Sequence, residues 1–132
     1  MIVQGEIFPA MIELAPQHKI GLSLSNPVMI AAGCAGYGHV YQPLLDLSAF
    51  GAIVTQPITL RPRPGASQPR LTEIAGGFIL ATGEQNPGVK KVIQHHQKSW
   101  TRLATALIAH LPADDAALVI ASVGSVEISA ER

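Results

Sequence analysis

Residues 26–33, Asn-Pro-Val-Met-Ile-Ala-Ala-Gly, decide the fold. Pro27 lacks a backbone donor and pushes Asn26 toward extended backbone, so no helix runs through this point. Five apolar residues, 28–32, follow without a polar interruption, and Gly33 opens a turn that also contains Gly36 and Gly38. A run this short, bounded by turn residues, predicts a strand buried on both faces, as in a parallel sheet. Two further apolar runs, residues 52–55 and 116–123, are read as strands of the same kind.

The segments between these runs give the connections. Residues 41–49 read as a short helix, with Tyr41, Leu44, Leu45 and Ser48 on one face and Gly51 as its stop. Residues 59–77 read as loop, because Pro62, Pro64 and Pro69 interrupt them; residues 78–81 read as a short strand. Asn86 is the predicted cap of a long helix with Pro87 at its first position. Val89, Val92, Ile93, His96, Trp100, Leu103, Leu107 and Leu111 fall at steps of three and four, and Pro112 ends the pattern. Ser125 is read as the cap of one more helix.

Upstream, residues 12–14 and 19–24 suggest a hairpin, with Ile20, Leu22 and Leu24 alternating with Gly21 and Ser23. Residues 1–11 are set apart as an N-terminal extension, leaving 12–132 as one domain. Alternation of strands and helices means right-handed parallel βαβ units. Three parallel strands leave both sheet edges open, so the pattern reads as the opening portion of a larger α/β protein.

Composition narrows the function. The chain has 132 residues, 48% of them hydrophobic and 14% charged, which suits a packed domain rather than a disordered one. Nine basic residues balance nine acidic ones, which argues against nucleic acid and against a polybasic membrane anchor. Aromatic residues at 5% offer no stacking platform for bases. No apolar run is long enough to span a membrane, and no signal peptide is recognisable. The single cysteine, Cys34, excludes an intramolecular disulfide framework and a multi-cysteine zinc site; a reduced, cytoplasmic setting is the default.

Three segments carry a resemblance. They are residues 26–38 (Asn-Pro-Val-Met-Ile-Ala-Ala-Gly-Cys-Ala-Gly-Tyr-Gly), residues 51–60 with the Pro-Arg pairs that follow, and residues 83–89 (Gly-Glu-Gln-Asn-Pro-Gly-Val). Together and in this order they resemble the class 1 dihydroorotate dehydrogenases, and the spacing agrees across residues 12–132. The resemblance implies a (β/α)8 TIM barrel, of which this chain would supply about three strand–helix units plus the N-terminal hairpin. It also implies FMN at the C-terminal ends of the strands and oxidation of dihydroorotate to orotate in pyrimidine biosynthesis. By the same resemblance, Ala31, Ala32, Gly33 and Gln56 fall at cofactor-binding positions, and Gln56, Leu80, Thr82, Gly83 and Glu84 at substrate-binding positions.

Departures from the family pattern lie at three of these positions. The family has a lysine where this chain has Gln56, which hydrogen-bonds but supplies no charge. It has an asparagine where this chain has Leu80. It usually has leucine where this chain has Glu84, and a carboxylate there would repel an anionic substrate. The family's catalytic base, a cysteine or serine, belongs to a later loop, so no catalytic residue and no metal ligand is assigned here. Cys34 lies on the first strand-to-helix loop and reads as a small buried residue.

The remaining polar residues have plain readings. His95 and His96 diverge by about 100° on a helix, so they cannot chelate one metal, and both read as partly solvated. His39 reads as a cap or a solvated residue, with phosphate binding as the alternative. Arg61, Arg63 and Arg70 read as a loop held by its own hydrogen bonds, with anion binding as the alternative. The amides of residues 86–88 are a further possible ligand contact, and Asp114-Asp115 reads as a turn. Three functions follow: an N-terminal segment without independent catalysis, one chain of a split barrel completed by another polypeptide, or an interaction module. The module would pair its open sheet edge with itself or with another protein.

Overall fold

A computed structural model describes residues 11–112. Its centre is a three-stranded parallel sheet. Here β1 is Ile12–Glu13, β2 Ser23–Leu24, β3 Met29–Ile30, β4 Ala52–Val54, β5 Leu71–Ile74, β6 Gly77–Leu80 and β7 Ala106–Ile108, with one helix, α1, Val89–Trp100, between β6 and β7. The sheet order is β3-β4-β7. Met29 and Ile30 face Ala52 and Ile53, and Ala52, Ile53 and Val54 face Ala106, Leu107 and Ile108.

Burial follows position in the sheet. On the middle strand Ala52 and Ile53 are fully buried, as the apolar run predicts. The run at 28–32 is not buried on both faces: Val28 and Met29 are 55% and 45% exposed. β3 is an edge strand among the described residues, covered on the side of Ile30. Its anchor is Asn26, whose side-chain Oδ1 accepts from the amides of Val28 and Gly51 while its Nδ2 donates to Ala49 O.

No α-helix covers residues 41–49. The amides of Leu44 and Leu45 reach Tyr41 O in a single turn, and Leu47–Ala49 form a 3-10 turn. Asp46 explains the break: its carboxylate accepts from Ser48 N (3.0 Å) and Ser48 Oγ (2.6 Å), satisfying locally the groups a helix would use. Of the stripe expected on this segment, Tyr41, Leu44 and Leu45 are exposed, and Leu47 is the residue that enters the core.

α1 is shorter than the periodicity predicts. Helical backbone starts at Val89 rather than at Pro87, and the capping position is Gly88, without a side-chain cap. It stops at Trp100, where the amides of Thr101, Arg102 and Leu103 fold back on Gln97, Ser99 and Trp100 carbonyls. Leu107 and Leu111 lie beyond that stop, in β7 and after it. Their spacing of four satisfies the alternation of an extended strand as well as a helical turn, so the two periods coincide there. Thr105 Oγ1 donates to Leu47 O (2.6 Å) and seats the entrance to β7.

β1 and β2 pair antiparallel, Ile12 with Leu24 and Glu13 with Ser23, so the expected hairpin is present in shorter form. Ile20, expected on its buried face, is exposed. A second hairpin, β5–β6, pairs Leu71 with Leu80 and Ile74 with Gly77, placing a strand inside the segment read as loop. All eight of its strand residues are exposed.

Two apolar clusters fill the space around the sheet. Tyr37, Ile58, Val89 and Val92 pack with Leu60, Ile93, Trp100, Ala109 and Leu111; Ala35, Leu47 and Ile53 pack with Ile30, Leu103 and Leu107. Among the described residues no helix is long and apolar enough to cross a membrane. The expected strand at 116–123, the turn at Asp114-Asp115, the helix from Ser125 and nearly all of the 1–11 extension lie outside the described residues.

Candidate functional site

The C-terminal ends of β3 and β4 lie side by side. Ala31, Ala32 and Gly33 follow β3, are exposed, and are closed into a turn by Cys34 N donating to Ala31 O. Gly33 has a φ of 83°, and a Cβ built on it would meet no atom within 4 Å, so these small residues form an open ledge. Cys34 on the same turn is exposed, against the expectation of a buried side chain. The apolar cluster beneath is filled by Ala35 instead.

Gln56 follows β4. Its amide donates to Gly36 O (2.7 Å), tying the end of β4 to the turn after β3. Its side chain is half-buried and works on the neighbouring Tyr37. Burial pushes the Tyr37 phenol up, with the Gln56 amide opposing in part, so the hydroxyl stays protonated at neutral pH. That hydroxyl is buried, and its contact with the Gln56 side chain falls short of a well-formed hydrogen bond.

A second group of site positions lies on the loop after β6. Leu80, on β6, is exposed opposite Leu71. Thr82 O accepts from Ala66 N (3.0 Å), and a Cβ on Gly83 would come within 2.4 Å of that same nitrogen, so the two loops touch through backbone. Glu84 forms an ion pair with Arg63, Oε2 to Nη1 at 2.5 Å. Arg70 donates from Nε to Ala66 O, from Nη2 to Pro64 O, and from Nη1 to Gln85 Oε1. The loop of Arg63 and Arg70 is thus held by its own hydrogen bonds, as the sequence predicts, and both guanidinium groups are engaged.

Thr59 and Asn86 join the two groups of positions. Asn86 Oδ1 accepts from Thr59 N (3.3 Å) and Gly88 N (3.0 Å) and lies 2.8 Å from Thr59 Oγ1, while Asn86 Nδ2 donates to Glu84 O. Val89 N donates to Thr59 O, and the backbones of Arg63 and Asn86 exchange two hydrogen bonds. The amides of Gly88 and Val89 are therefore spent within the chain rather than turned to a ligand. Asn86 acts as a buried clasp two residues before the helical cap. Thr59 is a polar residue inside the apolar stretch Pro57-Ile58-Thr59-Leu60, and that interruption is the sequence signal for its role.

The His39 and His96 rings pack at a tilt, centroids 4.6 Å apart and planes at 31°; both residues are half-buried and His95 is exposed, so His95 and His96 keep the partial solvation the sequence suggests. Among the described residues no group of three or more His, Cys, Asp or Glu side chains is placed to hold a metal.

Residues 15–128 match the profile of the dihydroorotate dehydrogenase family. Among curated proteins, the catalytic subunit of dihydroorotate dehydrogenase B (NAD(+)) from Listeria monocytogenes is 40% identical over 107 residues, covering 79% of this chain and 35% of the relative. The protein of the same name from Desulforudis audaxviator is 49% identical over 74 residues, 56% of this chain and 24% of the relative. Among solved structures, dihydroorotate dehydrogenase from Eimeria tenella in complex with ferulenol matches with a TM-score of 0.50 and 24% identity, over 70% of this chain and 26% of that one. The chain therefore spans about a third or less of the length of these relatives. That structural likeness shows the fold, part of a TIM barrel whose strands β3, β4 and β7 are described here. By the family profile, this chain belongs to the dihydroorotate dehydrogenases, among the class 1 members.

Proposed function

We propose that this chain forms the N-terminal wall of an FMN-binding barrel that oxidises dihydroorotate or a close relative of it, and that it needs further strands to do so. The observation that carries the reading is the open ledge of Ala31, Ala32 and Gly33 beside Gln56, at the C-terminal ends of two parallel strands. Active sites of such barrels are built at that end.

The residues present fit a flat, polar-edged group. Ala31, Ala32 and Gly33 leave room for a planar face, and the Gln56 amide offers both a donor and an acceptor to a ring edge. The buried Tyr37 hydroxyl beside Gln56 has no well-formed hydrogen bond among the described residues, which leaves it capacity for a further polar contact. Gln56 adds no positive charge, so it positions without favouring an anion. FMN bound here would supply the two-electron redox chemistry. The chain's own part is to hold the loop 82–88 rigid through the Arg63–Glu84 pair and the Asn86 clasp, so that a small-molecule substrate meets a fixed surface.

FMN affinity and dihydroorotate-dependent bleaching test this, measured on the full chain alone and co-expressed with a polypeptide carrying the remaining strands of a relative's barrel. We expect at most weak flavin binding alone and a yellow complex with the complement. Ordinary turnover by the chain alone, or a colourless complement mixture, overturns the reading. A cytoplasmic setting fits a chain with one cysteine.

One feature favours a second reading, an interaction module. Phe78, Ile79 and Leu80 on the β5–β6 hairpin are three consecutive large apolar residues left exposed, at 67%, 59% and 60%. Light scattering on the purified chain separates the two: a concentration-dependent oligomer without flavin supports the module.

A further inference from the structure

We propose that His39 and His96 form a proton-operated joint: in acid solution their stacked rings part, α1 loosens from the turn 36–40, and the turn releases its hold on the Gln56 peptide. The geometry is specific. His96 lies on α1, one helical turn from Trp100, and its ring sits 4.6 Å from His39, 4.8 Å from Tyr37 and 6.1 Å from Trp100, at interplanar angles of 31°, 30° and 27°. Trp100 Nε1 donates to Tyr37 O (2.7 Å), so the same helix face is also hydrogen-bonded to the turn. The turn in turn holds the site, because Gly36 O accepts from Gln56 N.

Neutral imidazoles serve this stack as flat aromatic surfaces. His39 Nδ1 is buried and has no hydrogen-bond partner among the described residues, so this ring is held in place by packing alone on that side. A proton on the His96 ring changes this. It places a charge in a partly buried setting lined by the His39, Tyr37 and Trp100 rings. Burial, then His39, then His95 hold the His96 imidazole below its usual 6.5. His39 faces it from the turn and exposed His95 flanks it on the helix; the Tyr37 phenol, pushed up by burial, stays neutral throughout.

The sign follows from that depression. The unfolded or opened chain takes up a proton at His96 more readily than the closed one. The joint is therefore intact above 6.5 and weakens progressively as pH falls below it.

Trp100 is the chain's single tryptophan and reports the joint directly. The experiment follows its emission in the full chain from about pH 8 to about pH 5, alongside the imidazole C2–H signals by NMR, over the range where histidines titrate. We expect a reversible red shift and loss of intensity with a midpoint below 6.5, absent in His96→Gln, moved upward in His39→Gln and retained in His95→Gln. A flat wild-type trace, or a transition that survives unchanged in His96→Gln, overturns the proposal. If His96→Gln does not fold, the wild-type NMR titration decides: a His96 signal that titrates at or above 6.5 overturns it, and one below 6.5 that moves with the Trp100 trace supports it.

Discussion

Thr59 and Asn86, 27 residues apart in the chain, meet as a buried polar pair. Thr59 Oγ1 lies 2.8 Å from Asn86 Oδ1 and 2.6 Å from Arg61 O, and with one proton it donates to one of them at a time. The backbone amides of Thr59 and Gly88 keep Asn86 Oδ1 satisfied in either case. Asn86→Ala strands two buried amides, a loss of about 2–6 kcal/mol at the usual 1–3 kcal/mol per orphaned group. Asn86→Asp keeps the acceptor and gives up the donation to Glu84 O, a smaller loss of about 1 kcal/mol. Urea denaturation of the full chain checks both values and their order.

Glu84 is the one non-glycine residue with positive φ among those described, at 50°. A side chain in that region costs about 1 kcal/mol, while its partly exposed ion pair with Arg63 returns about 0.2–1 kcal/mol. The two terms nearly cancel. Glu84→Gly, which removes both, should leave the thermal midpoint within about 2 °C, whereas Glu84→Ala keeps the strain, loses the pair and should lower it by a few degrees. Equal midpoints for the two variants would show that the backbone there carries no strain. High salt should narrow the gap between wild type and Glu84→Ala, because it screens the pair.

Glu13 organises the β1–β2 hairpin through its carboxylate, which accepts from Ser23 Oγ, Leu22 N and Ala15 N. Those three hydrogen bonds, Ser23 first, hold its pKa below the ordinary 4.5. A depressed carboxylate stabilises the fold above its unfolded value, and the contribution is lost as pH falls from 4.5 through the lower folded value. The amide signals of Leu22 and Ser23 should broaden or shift over that acid range while those of β4 stay in place. Glu13→Gln should weaken the hairpin at neutral pH and remove the acid step.

Much of this fold was legible where burial and sequence period agree. Ala52–Val54, the middle strand, lies where its apolar run places it, and the β1–β2 hairpin follows from alternation around Leu24. Legibility failed where a local side chain overrode a pattern. Asp46 turns an apparent helix into a 3-10 turn by capping Ser48, and Asn86 spends its oxygen on Thr59 rather than opening α1 two residues earlier. It failed again at Leu107 and Leu111, whose spacing suits both a helix and a strand. Of the candidate site, the hydrogen-bonded loop of Arg63 and Arg70 was readable from its Pro-rich setting, whereas Ala31, Ala32 and Gly33 were singled out by the family resemblance. The clasp and the His39–His96 stack were not, because each joins residues distant in sequence with no repeat or charge pattern to announce the contact.

Gly33 and Gly51 give the last test, because they need glycine for different reasons. A Cβ on Gly51 would lie 2.0 Å from Asn26 O, a collision with backbone that no rotamer relieves. That carbonyl belongs to the residue whose side chain accepts from the Gly51 amide, so retreat would also break the Asn26 anchor of β3. Gly51→Ala should cost about 3 kcal/mol or more and give little soluble protein. At Gly33 the surroundings are open and the φ of 83° is the sole obstacle, so Gly33→Ala should cost only about 1–2 kcal/mol and still fold. The two variants, compared by urea midpoint and by flavin binding in the completed barrel, separate a glycine required by packing from one required by the ledge. Gly33→Ala that folds but loses flavin would place the ring against the end of β3. Retention of flavin at wild-type affinity would show that the ledge is not its seat.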